Sequence, residues 1–476
     1  MRSVRRIAMI SEHASPLAGL GSVDSGGQNV YVAQLAKGLA KNGYEVDVFT
    51  RRDDASLPDV VPWHPGSRII HVPAGPAASI PKEELLPHMP EFTGHVLEHC
   101  VRRRYDLIHA HFWMSGMAAA DLKEALGIPF VVTFHALGRI RRTYQGPDDR
   151  FPDCRFAVEE RIVRAADCVI AECPQDHADL LDYYAADPAR IAIVPCGFDP
   201  EELWPVERCE ARERLGIDRD AFVVLQLGRM VPRKGIRTVV EGFACFHRDA
   251  SRAELLVVGG ESRDPDPKLT PEIGHLEELA RAHGVGHSVR FTGRRDRDEL
   301  RYYYSASDVF VTLPWYEPFG ITPLEAMACA IPVIGSRVGG VKYTVQDGVT
   351  GCLIPSAAPE ALAACLKRLY RDRGLAEDYG RCGRARALRW FTWTKVVRQI
   401  QAAYDEVIAG RVLPKRRLGP LAVARGSGAR RAIGSAGERI ASGGDIHGPG
   451  GGSADVRGAA GGTGTLGPRR GFERRS

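Results

Sequence analysis

No stretch of this 476-residue chain approaches the roughly 20 consecutive apolar residues that a bilayer-spanning helix needs. The opening residues alternate basic and apolar side chains and stop after four apolar positions, too few for the apolar region of a signal peptide. Eleven cysteines are present but no CxxC pair, and Cys168 and Cys173 are the closest two. That pattern argues against both a zinc site and a disulfide scaffold, and it predicts a reducing, cytoplasmic setting. The glycine-containing loop from Asp24 to Asn29 is not GxGxxG, and no acidic residue on a second strand end stands out as a ribose ligand, so a nicotinamide cofactor is not expected. No DxD-type metal motif stands out either. His109 and His111 share one face of a strand end, but no third ligand joins them. We therefore expect neither cofactor nor metal.

A basic body is also missing. The net charge is +5, but residues 411–476 hold 13 Lys+Arg against 4 Asp+Glu and so carry +9, which leaves −4 for the rest. A specific nucleic-acid-binding body is not expected. The same 66 residues contain 17 of the 51 glycines and almost no apolar periodicity. Such a Gly/Arg-rich tail cannot bury enough surface to offset its ordering entropy, and disorder is expected there.

What is present is an alternation of short apolar runs with amphipathic stretches, the βαβ pattern of parallel sheets covered by helices. In the first half, strands are expected at residues 6–10, 45–51, 69–72, 107–110, 130–134, 168–171 and 191–195. Helices are expected at 27–42, 82–103 and 155–165. Residues 196–205, with two prolines and a glycine, read as a linker. A second series follows, with strands at 222–227, 254–258, 289–292, 308–313, 332–335 and 352–355. Its helices fall at 236–248, 271–283, 297–305, 322–330 and 359–371. The fold class is α/β, two tandem Rossmann-like domains over residues 1–205 and 206–390 with the site in the cleft between them. A helix at 393–408 and the tail at 411–476 complete the chain.

Three segments carry chemistry. Gly26-Gly27-Gln28 follows Asp24-Ser25 and opens a helix, where free N–H groups can meet an anion. In the second domain, Arg229, Arg233 and Lys234 gather between a strand and a helix, a place to grip a diphosphate. Glu317 and Glu325 flank Phe319-Gly320, and a carboxylate pair there can accept bonds from sugar hydroxyls. His135 stands at the end of a first-domain strand, where ligands bind in such sheets.

Together these segments resemble the retaining GT-B glycosyltransferases of glycosyltransferase family 4. Glu317…Glu325 is similar to that family's E-x7-E motif, and Gly228-Arg229…Lys234-Gly235 to its donor-diphosphate grip. The resemblance spans roughly residues 5–410. Two kinds of member stand nearest. One acts on an inositol phosphate, carried by residues 10–17, 24–27, 79–85 and 105–109. The other makes a disaccharide phosphate, carried by Gly26-Gly27-Gln28 and residues 135–139.

The resemblance implies a nucleotide-sugar donor on the second domain, UDP-sugars favoured, and a small, phosphorylated sugar or polyol acceptor on the first. Arg229 and Lys234 would hold the diphosphate, Glu325 the ribose and Glu317 the donor sugar. Phe319 and Gly320 would help with that sugar, Gly27 would press on the diphosphate, and His135 would lie near the reacting carbon. His13, Gly26, Gln28, Lys82 and Arg155 would line the acceptor side, with Lys82 and Arg155 facing a phosphate. Residues 391–410 would cross back onto the first domain. Phe112 and Ala136 stand where the inositol-phosphate kind has tyrosine and threonine, so weaker binding of that acceptor is expected. A disaccharide phosphate synthase, or transfer to a neutral glycan or lipid-linked acceptor, is the alternative.

Overall fold

A computed structural model describes residues 5–17 and 26–411. The expected disorder of the tail and the loop residues Asp24 and Ser25 lie outside the described residues. The first half contributes strands β1 (Arg6–Ile10), β2 (Glu45–Arg51), β3 (Val60–His64), β4 (Ser67–Val72), β5 (Leu107–His111), β6 (Phe130–Thr133), β7 (Cys168–Ala171) and β8 (Ile191–Ile193). They form one sheet in the order β3-β4-β2-β1-β5-β6-β7-β8, parallel except where β3 runs against β4. The second half contributes β9 (Phe222–Leu227), β10 (Ala253–Val258), β11 (Val289–Gly293), β12 (Val309–Thr312), β13 (Val333–Ser336) and β14 (Gly351–Ile354). These form an all-parallel sheet, β11-β10-β9-β12-β13-β14.

Helices on both faces bury the central strands completely, which is why those strands read as unbroken apolar runs. Ile7 to Ile10 and Val223 to Leu225 are fully buried. Edge strand β3 was not expected. It contains Pro62, which removes a ladder donor and is tolerated only at a sheet edge. The single helix expected over residues 82–103 is a second departure. Residues Lys82–Glu84 and Leu86–His88 form two 3₁₀ turns, and the α-helix starts at Met89. Pro87 lacks the N–H a continuous helix would need, whereas Pro90 fits a first turn. Lys82 therefore sits on a tight turn at the cleft. The helix Arg373–Trp390 also went unforeseen, since its three glycines and many arginines blur its periodicity.

The chain crosses between the sheets twice, and the crossings pair with each other. The Phe198 N–H donates to the Phe391 carbonyl at 2.9 Å, and the Trp393 N–H to the Phe198 carbonyl at 3.1 Å. The last helix, Trp393–Ile408, then lies against the first helix, Gly27–Lys41, and Tyr404 is fully buried with its hydroxyl 2.6 Å from His109 Nδ1 on β5. Close approach of these helices depends on Gly38, where a Cβ would stand 2.5 Å from Val397 Cγ2. Gly38→Val is expected to cost about 1–3 kcal/mol by overpacking. Denaturant unfolding checks this, and adding Val397→Ala should recover part of the loss.

Candidate active site

The ends of β1, β5 and β6 in one domain face the ends of β9, β10 and β12 in the other. Between them lies a cavity of about 290 Å³. Its wall includes His13, Gly26, Gly27, Gln28, Lys82 and His135 from the first domain. From the second it includes Arg229, Lys234, Glu317, Phe319, Gly320 and Glu325. Of the thirteen residues to which the resemblance assigns a role in the site, twelve thus share one cavity.

The start of the first helix is pressed against the second domain. A Cβ on Gly26 would stand 3.6 Å from Arg229 Nε, and one on Gly27 would stand 3.4 Å from Ile321 Cδ1. The cleft mouth is bridged as well. Gln145 Nε2 donates to the Tyr316 hydroxyl at 2.7 Å, Tyr144 stacks on Tyr316, and Lys342 Nζ donates to Gln175 Oε1 at 2.7 Å. The domains are therefore closed on each other.

On the second domain, the 3₁₀ turn Pro232–Lys234 carries Lys234 into the cavity, where it donates to Glu317 Oε2. Burial acts to raise the Glu317 pKa, but Lys234, Arg233 and Arg229 outweigh it and hold the carboxyl below its usual range. Burial depresses the Lys234 ammonium; Glu317 opposes that shift, while Arg233 and Arg229 add to it. The Arg233 guanidinium lies over the Tyr316 ring at 5.3 Å, and its buried Nη1 has no hydrogen-bond partner. This cluster suits a diphosphate.

Gly320 at φ 86° turns the chain sharply into the helix Ile321–Ala328. Only glycine takes that conformation without strain, and it sets Glu325 inward on the helix. Glu325 is 3% exposed. Its Oε2 accepts from the Tyr304 hydroxyl at 2.9 Å and its Oε1 from Arg297 Nη1 at 2.9 Å.

His135 adopts φ 58°, uncommon for a residue with a side chain. Both ring nitrogens are engaged. Nδ1 lies 3.3 Å from Glu172 Oε1, and Nε2 lies 3.1 Å from His111 Nδ1. Burial pushes His109 down to about 3 and His111 well below its ordinary value, so both stay neutral. Two neutral rings thus underpin the His135 ring. On the acceptor side, His13 Nδ1 lies 2.7 Å from the buried Glu12, and its ring meets Phe112 edge to face. Gln28 Nε2 donates to Ser11 Oγ and to the His111 carbonyl, both at 3.3 Å.

Arg155 is the exception. It does not reach the cavity wall. Its side chain is 1% exposed, with Nε 2.8 Å from Glu159 Oε1 and Nη2 2.5 Å from the Ala136 carbonyl. Its guanidinium lies over the rings of Phe112, Trp113 and Phe151. It supports the wall formed by Phe112 and Ala136 from behind. Sequence reasoning missed Arg141, Arg294, Arg295, Arg297, Glu172 and Tyr316, all on the wall. For three of them a signal existed: arginines at 294, 295 and 297 cluster just past a strand end.

Residues 25–202 match the family Glycosyltransferase Family 4, and residues 207–386 match Glycosyl transferases group 1. A D-inositol 3-phosphate glycosyltransferase of Actinosynnema mirum is 37% identical over 416 residues, covering 85% of this chain and 97% of that one. The chain belongs to the family 4 glycosyltransferases. It is a hexosyltransferase with the GT-B fold. A second enzyme named D-inositol 3-phosphate glycosyltransferase, from Streptomyces bingchenggensis, is also 37% identical and covers 86% of this chain and 91% of its own. Among solved structures, the sucrose-phosphate synthase of Thermosynechococcus elongatus superposes with a TM-score of 0.79 at 36% identity, over 85% of this chain and all of that one. The cavity offers cations on one domain opposite a helix start on the other.

No helix among the described residues is long and apolar enough to cross a membrane.

Proposed function

We propose that this chain moves a hexosyl group, with retention of anomeric configuration, from a nucleoside-diphosphate sugar to a small phosphorylated sugar or polyol. UDP-sugars are the favoured donors, in keeping with the family resemblance. The observation that carries the reading is the shared cavity. Arg229 and Lys234 line it together with the start of the first helix and with Glu317 and Glu325.

Arg229 and Lys234 hold the diphosphate, Gly27 closes on it, and Glu325 takes the ribose hydroxyls. Glu317, with backbone at Phe319 and Gly320, takes the donor sugar. His135 lies beside the reacting carbon. His13, Gly26, Gln28 and Lys82 face the acceptor, and Arg141, paired with Asp149 at 2.7 Å, adds a cation on that side. The bond from the anomeric carbon to the diphosphate oxygen breaks as the bond to the acceptor oxygen forms on the same face. The acceptor proton passes to the departing phosphate oxygen, and cations around it stabilise the developing charge. Closure of the domains excludes water that would otherwise hydrolyse the donor.

The acceptor is the less determined half. One relative is named for an inositol phosphate and a solved neighbour for sucrose phosphate, which supports a phosphorylated acceptor. Phe112 and Ala136 offer no hydroxyl to it, so the phosphate should carry most of the affinity. A donor panel scored by thermal shift, followed by D-inositol 3-phosphate and hexose phosphates as acceptors, tests the reading. Lys82→Ala is expected to raise the acceptor KM about 10-fold or more and leave the donor KM nearly unchanged, since a hydrogen bond to a charged group contributes about 1.5–3 kcal/mol. Equal rates with phosphorylated and unphosphorylated forms of the acceptor would move the function to a neutral glycan or lipid-linked acceptor.

A further inference from the structure

Arg297 has no role in the reading above, yet it occupies the junction between the ribose carboxylate and the interdomain linker. Its Nη1 donates to Glu325 Oε1 at 2.9 Å, and its Nε donates to Glu202 Oε2. Glu202 lies in the first crossing between domains, and its other oxygen accepts from Gln34 Nε2 at 3.1 Å. Gln34 is on the first helix, the helix whose start abuts Arg229 and Ile321. A continuous polar chain therefore runs from Glu325 on the second domain, through Arg297 and Glu202, to the first domain.

The chemistry of the chain is demanding. Arg297 is held between two carboxylates, and although burial opposes it, Glu325 and Glu202 raise its pKa. Its side chain is 18% exposed, and its buried Nη2 has no hydrogen-bond partner. Each Glu325 oxygen receives one donor from the protein, from Tyr304 or from Arg297. A carboxylate offers about four lone-pair sites, so both oxygens keep capacity for a pair of adjacent hydroxyls. Arg297 fixes where those sites point. A helix moves as a rigid unit, so the motion that presses Gly27 toward a diphosphate also carries Gln34 to Glu202.

Resting on the donor-site reading given above, we propose that Arg297 is a positioning residue that couples the ribose grip of Glu325 to domain closure through Glu202 and Gln34. Closing the cleft orients Glu325, and by thermodynamic reciprocity a bound ribose favours the closed form. A ligand with phosphates but no ribose gains nothing from the chain. That selectivity separates positioning from general charge attraction.

The experiment uses the full chain and calorimetric titration with two probes, the tightest binder among UDP, GDP and ADP, and inorganic pyrophosphate. Arg297→Gln is expected to weaken the nucleotide about 10-fold, within the usual range for coupling between sites, while pyrophosphate changes less than about 2-fold. Arg297→Lys should restore part of the loss. Gln34→Ala, outside the cavity wall, should weaken the nucleotide by about 3-fold and add nothing in the Arg297→Gln background, since the two act through one chain. Equal weakening of both probes by Arg297→Gln overturns the proposal, as does a Gln34→Ala protein that binds the nucleotide like wild type. The donor-site reading has its own control. If Lys234→Ala and Glu325→Gln both bind the nucleotide at wild-type strength, that reading fails, whatever Arg297 does.

Discussion

Replacing Lys234 with alanine is expected to cut hexosyl transfer by about 100-fold or more in a protein that melts normally. Lys234 is carried into the cavity by a short 3₁₀ turn and meets Glu317 there, with Arg233 and Arg229 close enough to depress its pKa. Three cations gathered at the cleft wall are suited to meet the charge of a diphosphate. Departure of the diphosphate concentrates charge on its leaving oxygen. A fixed donor aimed at such a developing charge contributes about 2.7–4 kcal/mol to the barrier, which corresponds to the stated loss. Removing the ammonium also leaves Glu317 without its partner, and a carboxylate freed beside a diphosphate repels it. Glu317→Gln in the same background should therefore recover some donor binding but little of the rate. Steady-state kinetics with saturating donor reads both effects. Wild-type turnover in folded Lys234→Ala protein would remove this residue from the chemistry.

The parallel sheets were legible because strands buried on both faces must be apolar throughout. Ile7–Ile10 and Val223–Leu225 announce themselves for that reason. Edge strand β3 did not, because its outer positions meet solvent and Pro62 breaks the pattern. The turn bearing Lys82 was hidden inside an amphipathic run, and Pro87 was the cue. Site residues at strand–helix junctions could be found one segment at a time, since glycine, cation and carboxylate each have a local reason to be there. Glu172 could not, and for Arg297 the local cluster of arginines marks a cationic patch without showing what that side chain pairs with. Their partners Glu202, Glu325 and His135 lie 28 or more residues away in the chain, and only the fold brings them together. Arg155 failed for a different reason. Its place on the acceptor side was implied by the family resemblance, and nothing local shows that Glu159, one turn on, is buried with it.

Arg155→Met is accordingly expected to lower stability strongly, with any effect on the acceptor following from that. Arg155 and Glu159 are 1% and 0% exposed, so no solvent screens the pair. Glu159 has further partners. Its carboxylate accepts from the Gly138 N–H at 3.0 and 3.1 Å and from the Tyr184 hydroxyl. These bonds tie the loop after His135 to the helices Cys154–Ala165 and Pro174–Tyr184. With the guanidinium gone, the Glu159 carboxylate stays fully buried without the counter-charge that Arg155 supplied. Breaking a buried pair from one side costs about 3–5 kcal/mol. For a domain of some 200 residues that is a fall in melting temperature of roughly 6–20 °C. Glu159→Gln added to Arg155→Met should return part of it, since a neutral amide can still accept from Gly138 and no longer needs a counter-charge. A direct phosphate ligand behaves otherwise: its loss leaves the melting temperature nearly unchanged, raises the acceptor KM, and gains nothing from a change at Glu159. Melting curves and acceptor kinetics on the single and double variants decide between a residue that grips the acceptor and one that holds up the wall behind it.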